Sequence, residues 1–245
     1  AGSPGSPPAG EAIHKNAATT AHTLFFIASS FRHVPARLPP ENSTVTTPFP
    51  PPDARIAALR KALRSERIAA REALPAAERQ ALTGRIETHL DALVARLAPG
   101  CLAFCWPWRG EVDLLPWARR WLAADPARRA ALPVVLTPAR PMEFLRWRPD
   151  APMATDHHGI PIPAGDEPVS PELLIVPLNV FDAAGYRLGY GGGYFDRTLA
   201  ALDPAPTCVG VAFELARCES THPQAHDKPM DWVVTEAGVF GGSGK

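Results

Sequence analysis

From residue 53 onward the chain alternates apolar and polar positions with regular periods. Ile56, Leu59 and Leu63 recur at helical spacing, with Arg60, Arg64, Arg67 and Arg71 between them. This predicts an amphipathic helix with one basic side. Leu74-Pro75 breaks it, and Pro75 suits the first turn of a second helix. Leu82, Ile86, Leu90, Leu93 and Leu97 carry that helix until Pro99-Gly100 stops it. Short apolar runs then alternate with helical stretches. Strands are predicted over residues 101–106, 134–136, 142–147, 173–177, 207–213 and 232–235, and helices over 114–122 and 194–202. Continuous apolar strands separated by helices imply a three-layer α/β domain, a mostly parallel sheet with helices on both faces. In such sheets ligands bind beyond the carboxyl ends of the strands, so the chemistry is expected in loops that follow strands. No internal repeat is evident.

Residues 1–52 have a different composition. They hold ten of the 29 prolines, interspersed with Gly, Ser and Thr, and show no sustained period. Such a segment buries too little apolar surface to offset its ordering entropy. It is read as a disordered extension, with a mis-set start or an organelle-targeting leader as alternatives. The domain expectation is therefore an extension over 1–52, a single α/β domain over 53–240, and a flexible tail over 241–245.

Charge narrows the classes of partner. The 25 basic and 25 acidic residues balance, so no global field recruits nucleic acid or an anionic membrane. An anionic substrate has to be met by locally placed cations. The longest early apolar run, residues 24–28, is far short of a membrane span, and it lacks a signal-peptide pattern. Cys101, Cys105, Cys208 and Cys218 have no paired metal-ligand spacing. Reduced thiols in a cytoplasmic protein are the expectation.

The most informative stretch runs from Pro177 to Arg197, after a buried strand and into a helix. Gly189, Gly191, Gly192 and Gly193 let the backbone approach a ligand closely. Successive amides leading into a helix N-terminus make a phosphate cradle. Arg187 can add mobile positive charge at its rim, and Asp196 can offer a carboxylate to a hard cation bridging phosphate oxygens. The stretch is not a P-loop, which requires Gly-Lys-Ser/Thr, nor a dinucleotide fingerprint, which requires glycine where Tyr194 stands. A glycine-rich hairpin without ligand remains the bland alternative.

The run from Arg187 to Asp196, RLGYGGGYFD, closely resembles the signature of the 5-formyltetrahydrofolate cyclo-ligase family, the 5,10-methenyltetrahydrofolate synthetases. The preceding Ile-Val-Pro177, Phe181-Asp182 and Gly185 fit the same pattern. Arg60-Lys61-Ala-Leu63-Arg64 resembles the family's basic N-terminal helix, and the segment from Trp106 to Asp113 resembles the one after its first strand. His226-Asp227-Lys-Pro-Met-Asp231 resembles its acidic C-terminal pair. The resemblance covers roughly residues 55–236.

The resemblance implies the following roles. Arg60 and Arg64, one helical turn apart, would meet a phosphate group of ATP. The family usually has lysine where Arg60 stands, which leaves Lys61 as an off-register alternative. Arg187, Leu188, Gly189, Tyr190, Gly191, Gly192, Gly193, Tyr194 and Phe195 would form the nucleotide loop, with Tyr190 to Tyr194 also near the folate. Arg187 and Tyr194 would be the catalytic pair. Glu111 would accept hydrogen bonds from the amino and ring N–H edge of the pterin, and Trp106 would help wall that site. Asp196 and Asp227 would share a magnesium ion. His222 and His226, spaced i, i+4, suggest zinc, but Pro223 and the lack of a third ligand argue against it. His157-His158 lies in a Pro/Gly-rich stretch and reads as loop. One departure stands out: the family's Gly-Ile-Pro-Glu-Pro-like segment is here Gly159-Ile-Pro-Ile162-Pro163, which bears on folate affinity.

The implied activity is ATP- and magnesium-dependent closure of 5-formyltetrahydrofolate to 5,10-methenyltetrahydrofolate, with release of ADP and phosphate, by a cytoplasmic monomer or weak homodimer. Two rivals are a nucleotide- or folate-binding protein without catalysis, and an ATP-dependent enzyme of the same frame with another acceptor.

Overall fold

A computed structural model describes Gly2 and residues 53–156 and 158–242. The expectations for residues 1–52, and for His157, lie outside the described residues. Asp53 accepts hydrogen bonds from the amides of Arg55 and Ile56 and so caps α1 (Ala54–Glu72). Helix α2 (Ala76–Leu97) follows, with Pro75 at its N-cap and Ala98 in the left-handed conformation at its end. The chain continues through β1 (Cys101–Ala103), α3 (Leu115–Ala123), β2 (Arg129–Val134), β3 (Glu143–Trp147), β4 (Met153–Thr155), β5 (Pro161–Pro163) and β6 (Leu173–Pro177). Then come β7 (Val180–Phe181), β8 (Arg187–Leu188), α4 (Tyr194–Ala201), β9 (Thr207–Val211), a short 3-10 turn (Glu214–Ala216), β10 (Trp232–Thr235) and β11 (Gly238–Gly241).

Seven strands form one sheet in the order β11-β10-β9-β6-β1-β2-β3. The five inner strands are parallel, and β3 and β11 close the two edges in antiparallel sense. Alternation along β6 sorts its side chains to the two faces. Leu173 and Ile175 join Leu102, Phe104, Val209 and the buried residues of α2 and α3 in one core. Leu174 and Val176 join Ala103, Ala131, Phe144 and Phe181 in the other, against which Phe195 and Leu199 of α4 pack. The mostly parallel sheet with helices on both faces is the predicted three-layer α/β architecture.

Several boundaries move for identifiable reasons. The strand predicted over 134–136 instead ends at Val134 and begins at Arg129; its buried centre is Ala130 and Ala131, too small to read as an apolar run. The strand predicted over 101–106 pairs only to Ala103, after which the chain turns away toward the loop that holds Glu111. The β4–β5 and β7–β8 hairpins and β11 were not predicted, because proline or glycine interrupts their apolar pattern. Gly241 pairs with Trp232, and the Gly242 amide donates to the Asp231 carbonyl at 2.9 Å, so the tail expected from 241 is still paired there.

Helix α1 stands apart from both cores. It buries only Ile68 and Arg71 and rests on β7 and the 3-10 turn. Those follow β6 and β9, so α1 lies across the carboxyl end of the sheet, where the topology puts ligands.

Candidate active site

The glycine loop leaves β8 and enters α4 through Gly193, which sits at φ +64, with Gly191 at φ +99. Side-chain-bearing residues are strained in that region, which explains glycine at both positions. Among the described residues, the amides of Gly191, Gly192 and Gly193 donate to no protein group. They precede the N-terminus of α4, whose dipole favours an anion. Arg197 folds back from α4 to donate to the Gly192 carbonyl, and its guanidinium lies 5.0 Å from the centre of the Tyr194 ring.

The basic side of α1 faces this loop. Arg64 Nε donates to the Gly189 carbonyl at 2.6 Å. Burial, and after it the charge of Arg60, lowers the Arg64 pKa. Arg60 reaches Asp227 instead of the loop, at 2.6 and 3.2 Å, and also the His222 carbonyl. Lys61 is exposed, off the face that carries Arg60 and Arg64.

Further along α1, Arg71 is buried and makes no ion pair with a carboxylate among the described residues. It donates to the Asn179 side-chain oxygen at 2.8 Å, the Tyr190 hydroxyl at 3.0 Å and the Arg109 carbonyl at 3.1 Å. Tyr190 in turn donates to Glu111 Oε1 at 2.9 Å, and Glu111 Oε2 accepts from the Trp108 amide. Glu111 is buried, and burial raises its pKa against the opposing pull of Arg71, Tyr190 and the Trp108 amide. One residue of the glycine loop therefore bonds to the buried carboxylate while its neighbour bonds to Arg64.

At the other end of the loop Arg187 is not a mobile rim charge, as the sequence suggested, but buried and fixed. Its guanidinium donates to Asp196 at 2.9 Å and to the Lys228 carbonyl at 2.5 Å. Asp196 Oδ1 also accepts from the Lys228 amide at 3.2 Å, so the fold brings Asp196 beside the segment that carries Asp227. Burial opposes ionisation of Asp227, but hydrogen bonds from Arg60 and the Gln224 amide, with the charges of Arg60 and His226, hold its carboxyl below the ordinary value.

The donor set can be tested against magnesium. Among the described residues no three His, Cys, Asp or Glu side chains cluster as a metal cage. Magnesium needs only one or two carboxylates when phosphates and waters supply the rest. Asp196 keeps one oxygen without a protein donor among the described residues, and Asp227, on the segment whose Lys228 amide meets Asp196, is held by Arg60. These residues fit an ion that arrives on phosphate rather than one resident in the protein.

The remaining candidates fall as follows. Trp106 packs against the core beneath the Glu111 loop, and Phe195 packs into the opposite core with its ring 5.9 Å from the Arg187 guanidinium. His222 meets Arg60 through its carbonyl only. Ile162 lies on the β4–β5 hairpin, paired with Ala154. Three residues were missed as site residues. Arg71 carried a signal, the continued helical spacing of arginines; Asn179 and Thr221 carried none. Thr221 donates twice to the buried Asp182, which also accepts the amides of Ala184 and Tyr186 and so ties the β7–β8 turn to the 221–228 segment.

Comparison with known proteins identifies the family and the fold. The 5-formyltetrahydrofolate cyclo-ligase family model matches residues 54–236. A 5-formyltetrahydrofolate cyclo-ligase of Escherichia coli (strain K12) is 33% identical over 165 residues, 64% of this chain and 86% of that protein. One of Haemophilus influenzae is 37% identical over 93 residues, so the match spans 36% of this chain and half of that relative. The NMR structure of Aquifex aeolicus 5,10-methenyltetrahydrofolate synthetase superposes with a TM-score of 0.67 at 30% identity, covering 76% of this chain and 94% of that one. A Mycoplasma pneumoniae 5,10-methenyltetrahydrofolate synthetase shares the fold, at 22% identity and a TM-score of 0.59.

Proposed function

The chain belongs to the 5-formyltetrahydrofolate cyclo-ligase family, and from that premise we propose that it uses ATP to convert 5-formyltetrahydrofolate to 5,10-methenyltetrahydrofolate. The observation that carries the reading is the double engagement of one loop. Gly189 is held by Arg64, and Tyr190 is held by the buried Glu111. A nucleotide phosphate on the loop and a pterin on Glu111 would thus meet at a single place.

The chemistry required is activation of a poor leaving group. The formyl oxygen takes the terminal phosphoryl group of ATP as ADP departs. The N10 lone pair then attacks the formyl carbon, N10 loses its proton, and the carbon–oxygen bond breaks to release phosphate. The chain's part is positioning and charge neutralisation. The free amides of Gly191 to Gly193 and the guanidinium of Arg64 would hold the phosphates, and Arg187 would fix the loop and Asp196. Glu111, ionised, would orient the pterin through its N–H edge, and Tyr194 at the start of α4 would border the transferring group. Asp196 and Asp227 would hold magnesium, which neutralises charge on the phosphates when bound.

The test is a coupled measurement on the full chain with magnesium, ATP and 5-formyltetrahydrofolate. Methenyltetrahydrofolate, followed by its near-ultraviolet absorbance, and ADP should appear in equal amounts. ADP release indifferent to the folate would point to another acceptor. Binding of both substrates with no product would reduce the protein to a binding module.

A further inference from the structure

We propose that Asn179 is a specificity residue whose side-chain amide donates to the 4-oxo oxygen of the pterin, beside the N–H edge read by Glu111. The inference rests on the folate reading above and deepens it.

Asn179 follows β6 and is 2% exposed. Its backbone amide is bonded to the Leu188 carbonyl at 3.1 Å, which fixes the residue beneath the glycine loop. Its side-chain oxygen accepts from Arg71 Nη1 at 2.8 Å. A guanidinium has donors only, so the oxygen must face Arg71 and the NH2 group must face away from it. That nitrogen has no partner among the described residues. An unpaired buried donor is costly, and native proteins rarely leave one without a ligand or water to accept it.

Asn179 and Glu111 line the same cavity, together with Arg67, Arg71, Leu178 and Phe213; its volume is about 10 Å³, room for one water, so a pterin can enter only as Tyr190 moves off Glu111. Its polar wall thus presents the Glu111 carboxylate, the orphaned Asn179 amide and, on its basic side, the Arg67 Nε, also without a partner among the described residues. A pterin presents the complement along a single edge: the 2-amino group and N3–H donate, and the adjacent 4-oxo oxygen accepts. The Tyr190 hydroxyl now occupies Glu111 Oε1, the place a ligand N–H would take. Tyr190 is 46% exposed, so its ring can swing outward to admit the ligand. Arg71, which also lines the cavity, orients the reading group.

The test is equilibrium binding by titration calorimetry on the full chain, using 5-formyltetrahydrofolate and its 4-amino-4-deoxy counterpart. The wild type should prefer the 4-oxo compound by more than about tenfold, because the 4-amino compound lacks both the acceptor for Asn179 and the N3–H that Glu111 reads. Asn179→Leu should lose about tenfold of that preference, the part due to the amide, while keeping its affinity for ATP. Asn179→Asp keeps an acceptor for Arg71 but replaces the donor with a second acceptor, so it should cut the preference further than leucine does; it also covers the case in which the leucine variant does not fold. Wild-type affinity and preference in both variants would mean that the amide binds only a buried water, and the inference falls while the folate reading stands. Equal loss for both compounds with the preference unchanged would make Asn179 structural and also overturn it. Failure of the wild type to bind 5-formyltetrahydrofolate would remove the folate reading and this inference with it.

Discussion

Arg60 and Asp227, 167 residues apart in sequence, form a two-pronged ion pair at 2.6 and 3.2 Å that pins α1 to the loop after the 3-10 turn. Sequence reasoning assigned the arginine to nucleotide phosphate and the aspartate to magnesium. In the structure each is the other's partner, and Arg187 and Asp196 repeat the arrangement on the far side of the loop. Opposite charges recruited by one charged ligand also neutralise each other without it. A site that must hold four charges in a largely buried junction would otherwise bear a heavy desolvation cost.

The first prediction concerns stability. Asp227→Asn leaves Arg60 buried without its counter-charge, and should lower the unfolding free energy by roughly 3 kcal/mol at neutral pH. The folded-state pKa of Asp227 is depressed. Its contribution is therefore present above the ordinary carboxylate value and lost as pH falls through the folded value. The gap between wild type and variant, measured by urea unfolding, should close as pH falls from about 5 toward 2. A gap that stays constant over that range would show that the ion pair is not its source.

The second prediction concerns the nucleotide. Arg64 both supports the glycine loop and supplies charge beside it. Arg64→Ala should weaken ATP binding by roughly 1.5–3 kcal/mol, the worth of one charge-assisted contact, with a much smaller change in folate affinity. An unchanged ATP dissociation constant in titration calorimetry would return Arg64 to a purely structural role.

The legible parts of this chain were those written in local pattern. The parallel sheet showed in Leu173 to Val176, whose continuous apolar run only a strand buried on both faces explains. The glycine loop showed in its composition. The β2 strand did not, because two alanines at its centre are buried by the size of their neighbours rather than by their own hydrophobicity. Partnerships were the least legible. Nothing in the spacing says that Arg71 turns inward to Asn179 and Tyr190 while Arg67, on the same basic side, remains partly exposed. That depends on where β6 ends relative to α1, a tertiary fact.

A third prediction follows from Glu111. The carboxyl must be ionised to accept from a pterin N–H edge, yet burial raises its pKa, with Arg71 pulling the other way. Affinity for 5-formyltetrahydrofolate should therefore fall as pH drops through this raised value, beginning above the ordinary carboxylate range near pH 4.3. Glu111→Gln should bind weakly, by roughly 1–3 kcal/mol less, and without that pH dependence. A pH profile shared by the variant and the wild type would assign the titration to another group.

The last prediction separates the two carboxylates proposed for magnesium. Asp196 already gives one oxygen to Arg187 and the Lys228 amide, and its other oxygen is free of protein donors among the described residues. Asp227 uses both oxygens on Arg60 and the Gln224 amide. An ion arriving with ATP can therefore reach Asp196 without breaking a contact, but must displace Arg60 to reach Asp227. Asp196→Asn should weaken the magnesium dependence of ATP binding directly, seen as a higher metal concentration for half-maximal affinity in calorimetry. Asp227→Asn should do two opposing things: remove a metal ligand and free Arg60 for the phosphates. Its ATP affinity without magnesium should rise above that of the wild type even as turnover falls, because the metal stabilises charge on the transferring phosphoryl group and Arg60 alone does not replace it. Wild-type ATP affinity in Asp227→Asn without magnesium would show that Arg60 is not in exchange between carboxylate and phosphate. Identical magnesium titrations for wild type and Asp196→Asn would remove Asp196 from the metal site.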